Sequence, residues 1–180
     1  MTSLGIDLSL TSTGIIKLED GKIQKRQLIK TKPTGQNPLE ELKRLEYIRD
    51  TIDTTDVDIA IIEGLAFMAR NTTALVQLAG LNYLTRERFY LEEIPFIIVA
   101  PTTLKKFISG KGNCPKDLIL LETYKRYHVS FKDDNLCDAY VLARIGEALL
   151  DKKVKLTKFQ EEVINLINEQ YEKHEIKNAI

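Results

Sequence analysis

The stretch from Leu4 to Gly14, "LGIDLSLTSTG", places a lone acid, Asp7, at the end of a short apolar run and follows it with Ser, Thr and Gly residues threaded by leucines. Leu4 to Asp7 predicts a strand that ends on a carboxylate, with a small-residue turn behind it. A single buried carboxylate is costly to ionise, so its neighbours decide both the fold and the chemistry.

Working outward from Asp7, the pattern fits an α/β layer fold. Thr13 to Leu18 and Lys22 to Thr31 read as strands joined through Asp20-Gly21, a strong hairpin turn. After the loop "TKPTGQNP", Asn37 and Pro38 open a helix with Leu39, Leu42, Leu45 and Ile48 at helical spacing, ending near Asp53. "VDIAIIE" is a continuous run of the kind buried on both faces of a sheet, and it too ends on an acid, Glu63. A long helix is expected from Thr72 to about Glu92, then a strand in "PFIIVA", a helix from Pro115 through Tyr127 and another from Leu136 to Leu150. From Leu156 onward, Phe159, Val163, Ile164, Ile167 and Tyr171 form a helical stripe that predicts packing on the body or on a partner. The expected organisation is one domain over residues 1–150 and a C-terminal helical extension over 151–180.

Bulk composition bounds the function. The 180 residues, 43% hydrophobic and 29% charged, suit a single domain with a substantial core. No apolar stretch has the roughly 18 residues of a membrane span, and the first residues lack a secretory pattern, so a cytoplasmic protein without membrane contact is expected. Cys114 and Cys137, with only His128 and His174 as companions, support neither a disulfide framework nor a zinc site. The net charge of zero is unevenly spread. Residues 40–63 carry eight acids against three bases, whereas residues 70–132 carry ten bases against five acids. The middle of the chain is therefore the part suited to face phosphate.

Two acids thus stand at the ends of two buried strands, which neighbouring strands would bring together. Close carboxylates repel, and such a cluster needs a cation, for which magnesium is the expected choice. A third acidic cluster, "DDNLCDAY" at 133–140, begins a helix. At about 100° per residue, Asp134 and Asp138 fall roughly 40° apart on one face, while Asp133 points away. Taken alone, Asp134 also suits a helix N-cap.

The order of these pieces resembles the RuvC family of Holliday junction resolvases, within the RNase H-like nuclease superfamily, from Leu4 to Leu150. "GIDLSLTSTG" is similar to the family's first strand and turn, "IIEGLAFMARNTTALVQLAG" to its second motif, "VAPTTLKKFISGKGNCPKDLIL" to its basic segment, and "DDNLCDAYVLA" to its last motif. The resemblance implies a mixed five-stranded RNase H-like sheet flanked by helices, with the C-terminal helix as an addition. It implies catalytic residues Asp7, Glu63, Asp134, Asp138, Lys105 and Lys116. Two Mg²⁺ ions, replaceable by Mn²⁺, would be held by Asp7, Glu63, Asp138 and Asp134, with Asn135 as an alternative donor. Phe67 or Met68 would be the wedge at the junction centre, and Arg70, Lys106 and Lys111 would complete the DNA-binding set.

The implied activity is magnesium-dependent cleavage of four-way DNA junctions by paired cuts, leaving 5′-phosphate and 3′-hydroxyl ends. The two-fold symmetry of a junction implies a homodimer, for which the helix after Thr72 is the candidate interface. Branch-migration or recombination proteins would be further partners. Two other readings remain. One keeps the fold with flaps, branched DNA or structured RNA as substrate. The other is an actin-like or sugar-kinase-like ATP-binding module, which requires a second nucleotide-binding half for which the chain is too short.

Overall fold

The computed structural model describes residues 1–35, 37–65 and 72–173. Five strands, β1 (Thr2–Asp7), β2 (Ser12–Glu19), β3 (Lys22–Lys30), β4 (Ile59–Glu63) and β5 (Phe96–Val99), form one sheet in the order β3-β2-β1-β4-β5. The hairpin pairings β1/β2 and β2/β3 are antiparallel, and β1/β4 and β4/β5 are parallel. The mixed five-stranded sheet that the resemblance implies is therefore present. Among the described residues six helices accompany it: α1 (Pro38–Thr51), α2 (Thr72–Leu91), α3 (Pro101–Ser109), α4 (Lys116–Tyr127), α5 (Asp134–Leu150) and α6 (Lys158–Lys173).

Strand alternation sorts the side chains between two cores. Leu4 and Ile6 of β1, with Ala60 and Ile62 of β4, pack towards α1 and α2 alongside Ile48, Leu81 and Phe89. Ile59 and Ile61 face the opposite way, into a core built with Phe107 and Ile108 of α3, Ile119 of α4 and Val141 and Ile145 of α5. The same parity sends Asp7 and Glu63 to the α5 side of the sheet. Ile6 pairs with Ile62, so the residues that follow them, Asp7 and Glu63, emerge together at the ends of adjacent parallel strands.

Helix α5 lies flush on β1 and β2 because two glycines make room for its backbone. A Cβ at Gly5 would stand 1.9 Å from the Ala139 carbonyl oxygen, and one at Gly14 would stand 2.2 Å from that of Asn135. Ser3 Oγ donates to the Ala143 carbonyl at 2.8 Å on the same line of contact. The cap of α5 is Asp133, which accepts from the backbone N–H groups of Asn135 and Leu136, so Asp134 is the first helical residue and not the N-cap.

The Ser and Thr residues behind Asp7 bond to their own turn. Thr13 Oγ1 donates to the Ser9 carbonyl at 2.7 Å and accepts from the Ser9 N–H at 3.1 Å. Arg44, buried in α1, donates to Thr31 Oγ1 at 2.9 Å and to the Leu10 carbonyl, pinning that turn to the body.

Two features differ from the sequence reading. The segment after "PFIIVA" contains a helix, α3, which begins at Pro101 directly after the strand and buries Leu104, Phe107 and Ile108. Of the leucine stripe on α1, only Leu45 and Ile48 are buried, and Leu39 and Leu42 lie exposed at its first turns. Helix α6 packs on the body through Val163, Ile164 and Ile167. It is further tied by Arg126 stacked over Phe159, by Gln160 donating to the Tyr127 hydroxyl at 3.1 Å, and by Tyr171. The Tyr171 hydroxyl accepts at 2.8 Å from the Ile98 N–H on edge strand β5. Among the described residues, no helix is long and apolar enough to cross a membrane.

Candidate functional site

A cleft of about 280 Å³ opens at the ends of β1 and β4. Its polar lining is Asp7, Glu63, Asp138, Lys105, Lys116, Asn135 and Asn82, and its apolar walls include Leu8, Leu78 and Ile119. Five of the six residues expected to be catalytic are brought together here from five different elements: β1, β4, α3, α4 and α5. The donor chemistry is all oxygen and nitrogen, without a thiol or imidazole among the described residues of the lining. Carboxylate and amide oxygens of this kind suit a hard divalent cation such as magnesium.

The electrostatics are those of a site crowded with acid. Asp7 is only 6% exposed. Burial, then the Glu63 charge and a hydrogen bond with Glu63, push its carboxyl up to about 10, against a smaller downward pull from Lys116. Burial raises Glu63 as well, while its hydrogen bond with Asp7 and the charges of Lys116 and Lys105 pull it down. Burial and their mutual hydrogen bond favour one shared proton on the Asp7 side, because two neighbouring carboxylates shielded from water repel when both are ionised. Asp138 is pushed up to about 7, first by burial and next by Glu63, with Lys116 opposing. In this arrangement no three His, Cys, Asp or Glu side chains among the described residues converge closely enough to hold one ion.

Asp134 takes a different place. Its carboxylate lies 3.3 Å from Lys116 Nζ and lines a smaller recess with Ile119, Leu120, Cys137 and Asp138. Its neighbour Asn135 lines the larger cleft in its stead. Lys116 is the first residue of α4, where the helix end is positive, and its own ammonium is raised by the bond to Asp134 and by Asp138 and Asp7, although burial opposes this. Lys106 lies outside the cleft lining and pairs with Glu162 of α6 at 3.2 Å. Lys111 is exposed beside Gly110, whose left-handed backbone ends α3 against the Phe159 ring. Phe67, Met68 and Arg70 lie outside the described residues.

Sequence reasoning passed over Asn82, a polar side chain that shares a face of α2 with Leu78 and reaches the cleft beside it. Its signal in the sequence is an amide four residues after Leu78, one helical turn further along the same face.

The fold has solved counterparts. The RuvC structure of Thermus thermophilus superposes with a TM-score of 0.65 at 19% identity, covering 79% of this chain and 91% of that one. T. thermophilus RuvC in complex with its Holliday junction substrate matches with a TM-score of 0.65 at 18% identity, over 79% of this chain and 90% of that one. No protein-family model matches the sequence, and no curated protein matches it. The chain has the fold of these RuvC structures.

Proposed function

We propose that this protein is a magnesium-dependent endonuclease that resolves four-way DNA junctions as a symmetric dimer. The observation that carries the reading is the set of three carboxylates, Asp7, Glu63 and Asp138, lining one cleft with two lysines at the ends of parallel strands. Protons now held by the acids are what a divalent cation would displace, since metal ligands bind deprotonated. Asp7, Glu63 and Asp138 would hold magnesium, with Asp138 drawn towards the Asp7 and Glu63 pair and Asn135 beside it. When bound, magnesium supplies a Lewis acid for the phosphoryl oxygens and lowers the pKa of water at the scissile phosphate.

The remaining steps belong to the chain. Lys116, at the positive end of α4, and Lys105 on α3 bind non-bridging oxygens of the strand to be cut and offset its charge. Leu8, Leu78 and Ile119 narrow the cleft, and Asp134 holds Lys116 in place. Lys111 meets the backbone outside the cleft, Arg70 adds to the DNA contacts, and a Phe67 or Met68 wedge meets the junction centre. The dimer would form along α2, where Val76, Tyr83 and Tyr90 recur at seven-residue spacing and are each more than 60% exposed.

A direct assay offers the protein a mobile synthetic junction, a flap, a plain duplex and an RNA hairpin with Mg²⁺, then with EDTA. Paired nicks confined to the junction and lost in EDTA are expected. Equal cutting of flaps or the hairpin would move the substrate to the wider nuclease class, and cleavage surviving Asp7→Asn would remove the metal site. Sedimentation of wild type and Tyr83→Glu tests the dimer, with the variant expected as a monomer.

A further inference from the structure

Asn82 sits in the middle of α2 with its side chain 1% exposed. Its Nδ2 donates to the backbone carbonyl of Glu63 at 3.4 Å. A carbonyl only accepts, so the amide nitrogen must face Glu63 and the amide oxygen must be turned from it. That oxygen is buried, and no hydrogen-bond donor among the described residues reaches it. Nearly every buried polar atom in a folded protein has a partner, and an amide kept on an apolar helix face demands one.

The chemistry of the cleft limits what that partner is. Of the lining groups, Lys105, Lys116 and Asn135 can donate but none reaches this oxygen, the carboxylates are acceptors once ionised, and the phosphate oxygens of a nucleic acid only accept. A water polarised by a divalent cation is a strong donor, and magnesium keeps several of its waters when bound by few carboxylates. We infer that Asn82 is a positioning residue for the cation. Its amide oxygen accepts from a water of the ion's hydration shell while its nitrogen holds the Glu63 carbonyl and thus the end of β4. The inference rests on the reading of the cleft as a magnesium site. Partners of this kind orient the ligands that touch the metal, and losing one typically weakens metal binding about 10- to 100-fold.

Calorimetric titration with Mg²⁺, without DNA and at about 0.3 M salt to screen long-range attraction, separates the possibilities. Asn82→Leu is expected to weaken Mg²⁺ binding at least about 10-fold. Asn82→Asp, which keeps an acceptor but has no N–H for Glu63, is expected to stay within about 3-fold of wild type, because the acceptor is what matters. If Asn82→Leu does not melt cooperatively, Asn82→Ala takes its place with the same expectation. Wild-type binding with an unaffected Asn82→Leu overturns the inference and leaves the metal site standing. Equal losses in the leucine and aspartate variants overturn it too, since they would assign the amide to holding Glu63 alone. No heat from wild type, with Glu63→Gln indistinguishable from it, is the failure of the magnesium reading itself.

Discussion

The Lys116 ammonium lies 3.3 Å from the Asp134 carboxylate, joining the first residue of α4 to the first residue of α5 beside the cleft. Both partners are largely open to water, so the pair contributes about 0–1 kcal/mol to stability. Its consequence is placement of the lysine. Asp134→Asn is expected to shift the melting temperature by no more than about 2–4 °C, yet slow single-turnover junction cleavage about 10-fold. Lys116→Met should cost about 10²- to 10³-fold, as the loss of a charge-stabilising donor does. A loss for Asp134→Asn as deep as that for Asp7→Asn would make Asp134 a metal ligand instead.

The raised acids make the metal-free protein lose stability as pH rises. An unfolded chain releases these protons near pH 4, whereas the folded one keeps that of Asp138 to about pH 7 and that of Asp7 to about pH 10. Between those limits the native state binds more protons than the unfolded state, so stability falls with increasing pH. Groups facing Asp7 are Glu63, Asp138 and Lys116, with Lys105 facing Glu63. In EDTA the melting temperature should decline from pH 5 to pH 8, and Asp7→Asn should flatten that decline and raise the pH 8 value by about 2–4 °C per kcal/mol of relief. A rising profile would contradict the buried acid pair.

Gly5→Ala tests the flush packing of α5. The new methyl would meet the Ala139 carbonyl at 1.9 Å, far inside contact, so either β1 or the helix must move. The expected cost is at least about 1–3 kcal/mol. Because the shift separates Asp138 from Asp7, Mg²⁺ binding measured by calorimetry should weaken with it. A variant with wild-type melting and binding would show that the helix has slack that the structure does not have.

Helix α6 should be integral to stability. Tyr171→Phe removes one hydrogen bond to β5, worth about 0.5–1.5 kcal/mol, and leaves the Ile98 N–H open at the sheet edge. Deleting residues 158–180 strips Val163, Ile164 and Ile167 from the core, each worth about 1.5–3 kcal/mol on burial. The truncated chain is expected to lose its cooperative melt, read by circular dichroism. Unchanged melting would mean that the helix is merely laid on the surface.

Much of the site was visible in one dimension because strand geometry is periodic. Asp7 and Glu63 each close an apolar run, and two-residue alternation sends both to the same side of the sheet. Asp138 was legible from helical spacing. The same rule placed Asp134 on that face but could not show that Lys116, from another helix, holds it aside. Helix α3 was hidden because Pro101 starts it without an intervening loop, so its amphipathic Leu104, Phe107 and Ile108 merged with the strand before it. Asn82 was masked by its surroundings, since its partner, the Glu63 carbonyl, belongs to a strand distant in sequence.

The contact of α5 with β1 through Gly5 and Gly14 joins the first strand of the chain to a helix near the end of the domain. A chain in which α5 has not yet docked on β1 therefore lacks Asp138 and Asn135 in the cleft, and the proposed ions would find the full donor set only once that contact has closed. On the proposed magnesium reading, cation concentration would report completed folding, with the unfolding midpoint expected to rise as the logarithm of ion in excess.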